Sequence, residues 1–280
     1  MVTRAIWIEP LLNMTLSTTV NALSRVQSIF PALKTIYSDR GTNFIGARRE
    51  ISEGKELWNR EQINDKLYEK NIEWQLGPAN CGHYGGMWER MVAIVKDSLK
   101  ASMRNKSLTF DEFETLVYAI AAAVNKRPIT AVSDDPLDCS ALSPSNFLYP
   151  YMNNTTGTNI YPPIPLSGAQ TRERWNEIQQ ILDEWWRIWQ SNYLLEQRKR
   201  KKWTKKTKPL EAGTIVIVVD PILPRERWRL SRVKEAVVSR DNVTRNYILS
   251  DSFGNEFHRN ITGLVPLELD DGISKNELSK

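Results

Sequence analysis

Two carboxylates stand where a hard cation could be held. Asp39 closes the strand-like run "IYS" and is followed two residues later by Gly41, in "IYSDRGTNF". Glu89 opens a long helical pattern behind "GHYGGMW", whose paired Gly85 and Gly86 permit backbone angles closed to other residues. Oxygen ligands from two adjacent elements suit Mg2+ or Mn2+. In phosphoryl transfer a pair of such ions activates the attacking oxygen and stabilises the leaving one. Each residue alone has a plainer reading. Asp-x-Gly at a strand end also makes a turn, and a glutamate in a first helical turn complements the helix dipole. His83, His258, Cys81 and Cys139 show no zinc-ligand spacing, so no zinc is expected. Two cysteines in a chain of this length fit a reducing compartment better than a disulfide framework.

A second kind of chemistry lies in the charge distribution. The net charge is +5, and the segment Arg198 to Lys208, "RKRKKWTKKTK", holds eight basic residues and no acid. Without those eight, the chain carries 30 basic against 33 acidic residues. The positive charge is therefore concentrated, which points to a polyanion partner. The same composition also fits a solvated or nuclear-targeting run. No stretch reaches the roughly 18 apolar residues of a membrane span, and the N-terminus "MVTRAIWIEP" lacks the apolar core of a secretory signal.

The elements that must position these groups alternate over residues 1–150. Ala5–Glu9 reads as a strand, Ser17–Phe30 as a helix, Lys34–Ser38 and Ile72–Leu76 as strands, with a helix starting near Phe44–Gly46. A long helix follows over Met87–Met103, with Met91, Ile94, Val95, Leu99 and Ser102 on one face. Another, Phe110–Asn125, stops before Pro128. This interleaving predicts a layered α/β domain. Residues 151–170, rich in Pro, Asn and Thr, read as a linker. Over 171–208, Trp175, Ile178, Leu182, Trp185, Ile188, Trp189 and Asn192 recur at helical spacing, an amphipathic stripe expected to pack against the core or a partner helix in preference to stacking on bases. The basic run is either the last turns of that helix or an extended hinge. Residues 209–270 hold short strands separated by turns such as "SRDN" and "SFGN", a small all-β barrel or sheet, and 271–280 a tail. The expected fold class is α/β plus all-β.

The words "SDRGTNF" and "GHYGGMWERMVAIVKDSLK", in that order, resemble the integrase core of Bel/Pao-type LTR retrotransposons, relatives of retroviral integrases. The likeness continues through "LTFDEFETLVYAIAAAVNKRPIT", "DDPLDCSALSPSNFL" and "RERWNEIQQILDEWWRIWQSNYLLEQRKRKKW". "PRERWRLSRVKEAVVSRDNVTRNYIL" resembles the SH3-like C-terminal domain joined to such integrases. The resemblance implies an RNase H-like core, a basic helical linker and an SH3-like β-barrel. It implies that Asp39 and Glu89 are the second and third acids of an Asp-Asp-Glu metal site. Thr42 and Asn43 would lie beside that site and target DNA, and Lys96 and Lys100 would meet the DNA end. The first acid belongs on a strand before Ala5–Glu9. Only Glu9 precedes Asp39 among acids, so the core is expected to begin inside the fold without that strand. Arg40, where the family often has asparagine, is a milder departure.

DNA is the implied partner, held mostly through phosphates by Arg198, Lys199, Arg200, Lys201, Lys202, Lys205 and Lys206, with Arg225, Arg227, Arg229 and Arg232. Homo-oligomers and a nuclear location are implied as well, with Mg2+ or Mn2+ bound weakly and no small-molecule substrate. Two rivals stay open: a non-catalytic nucleic-acid-binding remnant, and a fragment that never folds.

Overall fold

Thr109 opens a helix with a capping box: its hydroxyl accepts from the Glu112 amide while the Glu112 carboxylate accepts from the Thr109 amide. In the computed structural model the described residues are 3–38, 44–49, 73–76, 86–104, 106–133, 135, 137–148, 169–200, 209–238 and 244–269, without the side chains of 74, 76, 86–89, 169–171 and 199–200. They divide into a smaller unit, Glu9–Arg90, and a larger one formed by Met1–Ile8 with Met91–Lys280.

The smaller unit holds α1 (Leu16–Ile29), β1 (Thr35–Ser38), a helical stretch at 44–49 and β2 (Glu73–Leu76). The Thr15 side chain caps α1. β1 and β2 pair in parallel, Thr35 opposite Glu73 and Ser38 opposite Leu76. Leu16 lies so close to Gly46 that a Cβ there would sit 3.2 Å from its Cδ1, which is why α1 meets the 44–49 stretch at a glycine. Glu9 is ion-paired with Arg25 at 2.5 Å.

The larger unit contains α2 (Gly86–Met103, from Met91 onward), α3 (Phe110–Asn125), the short hairpin β3 (Thr130–Ala131) and β4 (Ala141–Leu142), and α4 (Pro144–Leu148). The 32-residue α5 (Ala169–Arg200) leads to five strands, β5 (Ile215–Val218), β6 (Arg229–Val238), β7 (Thr244–Ser250), β8 (Glu256–Asn260) and β9 (Leu264–Pro266). The strands form one antiparallel sheet in the order β8-β7-β6-β5-β9, with a 3-10 turn at Ile261–Gly263 before β9. No closed barrel is found among the described residues. The β7–β8 hairpin turns at Gly254, whose φ of +81° suits a residue without a Cβ.

All four residues of β5 are buried, because the strand has a core on each face. Ile215 and Ile217 pack with α2, α3 and α5, whereas Val216 and Val218 pack with Val233, Tyr247 and Leu249 of the sheet. Trp185, Trp189 and Tyr193 are at most 1% exposed and form a stacked ladder with centroids 5.5 and 5.1 Å apart. Trp228, just before β6, closes edge-on against Trp186, Trp189 and Tyr193. The tryptophans are therefore core. Within the larger unit, α2, α3, the long helix and the β module thus share one apolar interior.

Ala5–Glu9 is a correction to the sequence reading: it forms no strand. Its backbone is instead satisfied by a side chain. The Asn125 Nδ2 donates to the Ile6 carbonyl at 2.7 Å, and the Ile6 N–H donates to Asn125 Oδ1 at 2.8 Å. A buried amide thus stands in for a neighbouring strand, and Trp7 lies 5.7 Å from the Tyr118 ring.

Candidate nucleic-acid interface

The carboxylates that would hold a metal flank described elements. β1 ends at Ser38, the residue before Asp39, but Asp39, Thr42 and Asn43 lie outside the described residues. Glu89 falls in the first turn of α2, and its side chain is likewise outside them. Among the described residues no group of three or more His, Cys, Asp or Glu is placed to hold a metal ion. Cys139 is a buried free thiol whose pKa burial pushes up; Cys81 and His83 lie outside the described residues, and His258 is an exposed residue of β8.

Lys96 and Lys100, one turn apart on α2, are exposed and have no ion-pair partner among the described residues. The opposite face of α2 is buried at Val95, Ser98 and Ser102, so helical periodicity turns both lysines to solvent.

α5 takes the first three residues of the basic run into its last turn. Arg198 is half-buried, and its Nη2 donates to the Thr262 carbonyl in the 3-10 turn. Burial lowers the Arg198 pKa. Lys199 and Arg200 continue the helix with side chains outside the described set, and Lys201, Lys202, Lys205 and Lys206 lie beyond it.

The four arginines expected to meet phosphate from the sheet have separate fates. Arg232 is only 7% exposed and donates to the carbonyls of Gly213, Ser133 and Asp138, at 2.7, 3.0 and 2.6 Å. Held by three carbonyls and buried, this guanidinium ties β6 to Ser133 and Asp138 and is turned away from solvent. Arg225 is bound to Asp183 at 2.8 Å and Gln179 at 3.0 Å, which fixes the β5–β6 connection to α5. For Arg225 and Arg232 the phosphate role expected from sequence is therefore corrected to a structural one. Arg229 lies 4.9 Å over the Phe257 ring and 3.6 Å from Asp220. Arg227 is exposed, with no side-chain partner among the described residues.

Sequence reasoning missed the buried polar centre of the larger unit. Arg127 donates to Glu268 Oε1 at 3.0 Å, to the Val124 carbonyl at 3.0 Å and to the Arg4 carbonyl at 2.8 Å. Glu268 also accepts from Arg4 and Gln197. Burial opposes its ionisation, yet the Arg127 charge and hydrogen bond, with Tyr193 and Arg4, outweigh burial and hold its pKa below the usual carboxylate range. No local pattern announces this pairing, since its members lie more than a hundred residues apart.

Residues 173–267 match a family of unknown function, DUF5641. That span begins in α5 and ends just after β9, so it encloses the long helix and the sheet that packs on it. No curated protein matches the chain. No helix among the described residues is long and apolar enough to cross a membrane.

Proposed function

We propose that the chain is an integrase-like protein of a Bel/Pao-type retrotransposon that binds DNA, and whose full-length relatives insert DNA by metal-dependent strand transfer. The observation that carries this reading is the order of words around the parallel pair. "SDRGTNF" begins at the last residue of β1, β1 lies parallel to β2, and "GHYGGMWERM" leads into α2. Parallel α/β sheets bind their ligands beyond the carboxyl ends of the strands, which is where Asp39 falls in the chain. An RNase H-like core is the fold that reading requires.

Asp39 and Glu89 are the residues that would hold Mg2+ or Mn2+, since two carboxylates have the hardness and charge these ions take. Bound there, the ions supply charge stabilisation at the reacting phosphate. Thr42 and Asn43 would adjoin the target, and Lys96 and Lys100 the DNA end. Helix α5, running into the basic segment, supports a linker that carries phosphate contacts through Lys199, Arg200, Lys201, Lys202, Lys205 and Lys206. Four meandering strands, a 3-10 turn and a fifth strand returning to pair with the first support an SH3-like module. The same reading implies homo-oligomers and a nuclear location.

A strand-transfer assay with purified chain, labelled DNA ends and Mg2+ or Mn2+ tests it. Product that disappears in Asp39→Asn and Glu89→Gln supports an active enzyme. Salt-sensitive binding without product assigns the chain the DNA-binding part alone, and failure to bind DNA at low salt overturns the reading.

A further inference from the structure

We infer that the end of α3, together with Glu268, is a docking site for an extended segment: residues 4–8 fill it in cis, and the same residues of a second copy fill it in trans. Docking here is independent of the DNA-binding reading above. Residues 4–8 form no strand, yet side chains hold their backbone as a neighbouring strand would. Asn125, 4% exposed, accepts from the Ile6 N–H at 2.8 Å and donates to the Ile6 carbonyl at 2.7 Å. A carboxamide carries donor and acceptor side by side, so it grips the backbone of one residue and excludes only proline there. Arg127 Nη2 adds a contact two residues earlier, donating to the Arg4 carbonyl at 2.8 Å.

The side chains of the segment alternate as those of an extended peptide do. Ile6 and Ile8 pack against the apolar interior of the larger unit, whereas Trp7 lies against the Tyr118 ring, with centroids 5.7 Å apart. The Arg4 guanidinium reaches Glu268 Oε2 at 3.0 Å. Held backbone groups give an extended peptide its affinity, and separate places for alternate side chains give it specificity. The pattern read here is Arg4-Ala5-Ile6-Trp7-Ile8.

The walls of the site are held without the segment. Arg127 donates to Glu268 Oε1 at 3.0 Å and to the Val124 carbonyl at 3.0 Å, and Gln197 donates to the same Glu268 oxygen at 3.3 Å. These bonds join α3, α5 and the chain after β9, and they engage Oε1 while Oε2 receives Arg4. The groups that bind the segment lie 119, 123 and 264 residues from it in the chain. No local turn is needed to set it in place, so the same five residues on another copy meet the same groups in the same order.

Fluorescence anisotropy of a fluorescein-labelled Thr3–Pro10 peptide, titrated with the full chain, tests this. Ile6→Pro in the chain removes the N–H that Asn125 accepts and leaves the lining of the site unchanged. The peptide is expected to bind the Ile6→Pro chain, and the wild type at least about tenfold more weakly, because the cis segment competes at high effective concentration. N-methylation of Ile6 in the peptide, or Asn125→Ala added to the Ile6→Pro chain, should abolish that binding. For the second copy, the Ile6→Pro chain supplies an intact site and an Asn125→Ala chain an intact segment, so their mixture should sediment as a complex heavier than either variant alone. Peptide that does not bind the folded Ile6→Pro chain overturns the site, and peptide binding without association of the mixed variants overturns the trans occupant. An Ile6→Pro chain with no cooperative thermal transition overturns the proposal too, since a docked segment is separable from the fold that receives it.

Discussion

Arg127 and Glu268, 141 residues apart in the chain, meet at 3.0 Å with neither side chain exposed. Around them gather Arg4, Gln197 and the carbonyl of Val124, so the pair ties the first residues, the end of α3, the end of α5 and the chain after β9 together. Arg4 takes a left-handed conformation, φ 47°, to present both its carbonyl and its guanidinium to this centre. An ion pair this deep is worth more for what its loss costs than for its own net energy.

Removing one partner strands a buried charge. Glu268→Gln or Arg127→Leu is expected to cost about 3–5 kcal/mol in urea unfolding. Replacing both by apolar residues of similar volume should cost far less than the two single changes together. A double-mutant cycle measures the difference, and additivity would show that the two are not coupled.

Acid should loosen the contact between α3 and α5. Hydrogen bonding from Arg174, then from the Thr109 backbone, lowers the Glu112 pKa from 4.5 to about 2. A carboxyl depressed in the folded state contributes stability that is present above its unfolded pKa and lost as pH falls through the folded one. The loss therefore falls between about 4.5 and 2, and Glu268, also lowered, acts in the same direction. Urea midpoints followed down this range should fall less steeply in Glu112→Gln than in the wild type.

Asn125→Ala removes both hydrogen bonds that hold Ile6 and leaves its half-buried N–H and carbonyl to find water. The expected loss is about 1–3 kcal/mol. Amide hydrogen exchange at Ile6 should accelerate well beyond that of the Ile217 amide in β5. Equal acceleration at both sites would mean that the 4–8 segment is not separately held.

Trp189→Ala empties the centre of the aromatic ladder, between Trp185, Tyr193 and the edge of Trp228. A loss of about 3–5 kcal/mol is expected, with Trp189→Phe much milder because it keeps a ring in place. If these tryptophans instead stacked on bases, DNA affinity rather than the unfolding midpoint would change.

Local order was legible from the chain. Helical spacing marked the apolar faces of α2 and α5, Pro128 marked the end of α3, and alternating strands with turn residues marked the sheet. Each of these depends on residues within a few positions of one another, so periodicity and capping decide them. The words around Asp39 and Glu89 were equally plain, although their side chains lie outside the described residues.

The amino-acid sequence by itself marked the long helices and the strands of the five-stranded sheet, where positive charge gathers, and which residues could serve a phosphate or a metal. Only the tertiary structure decided which arginines remain available. Arg225, Arg229, Arg232 and Arg259 are alike as residue types, yet folding gave the first three a carboxylate or backbone carbonyls and left Arg259 exposed over Phe257. It likewise denied Ala5–Glu9 a strand partner and supplied Asn125 instead. The reason is physical: a local pattern fixes the direction a side chain faces, whereas its partner is selected by distant chain that arrives only when the core closes.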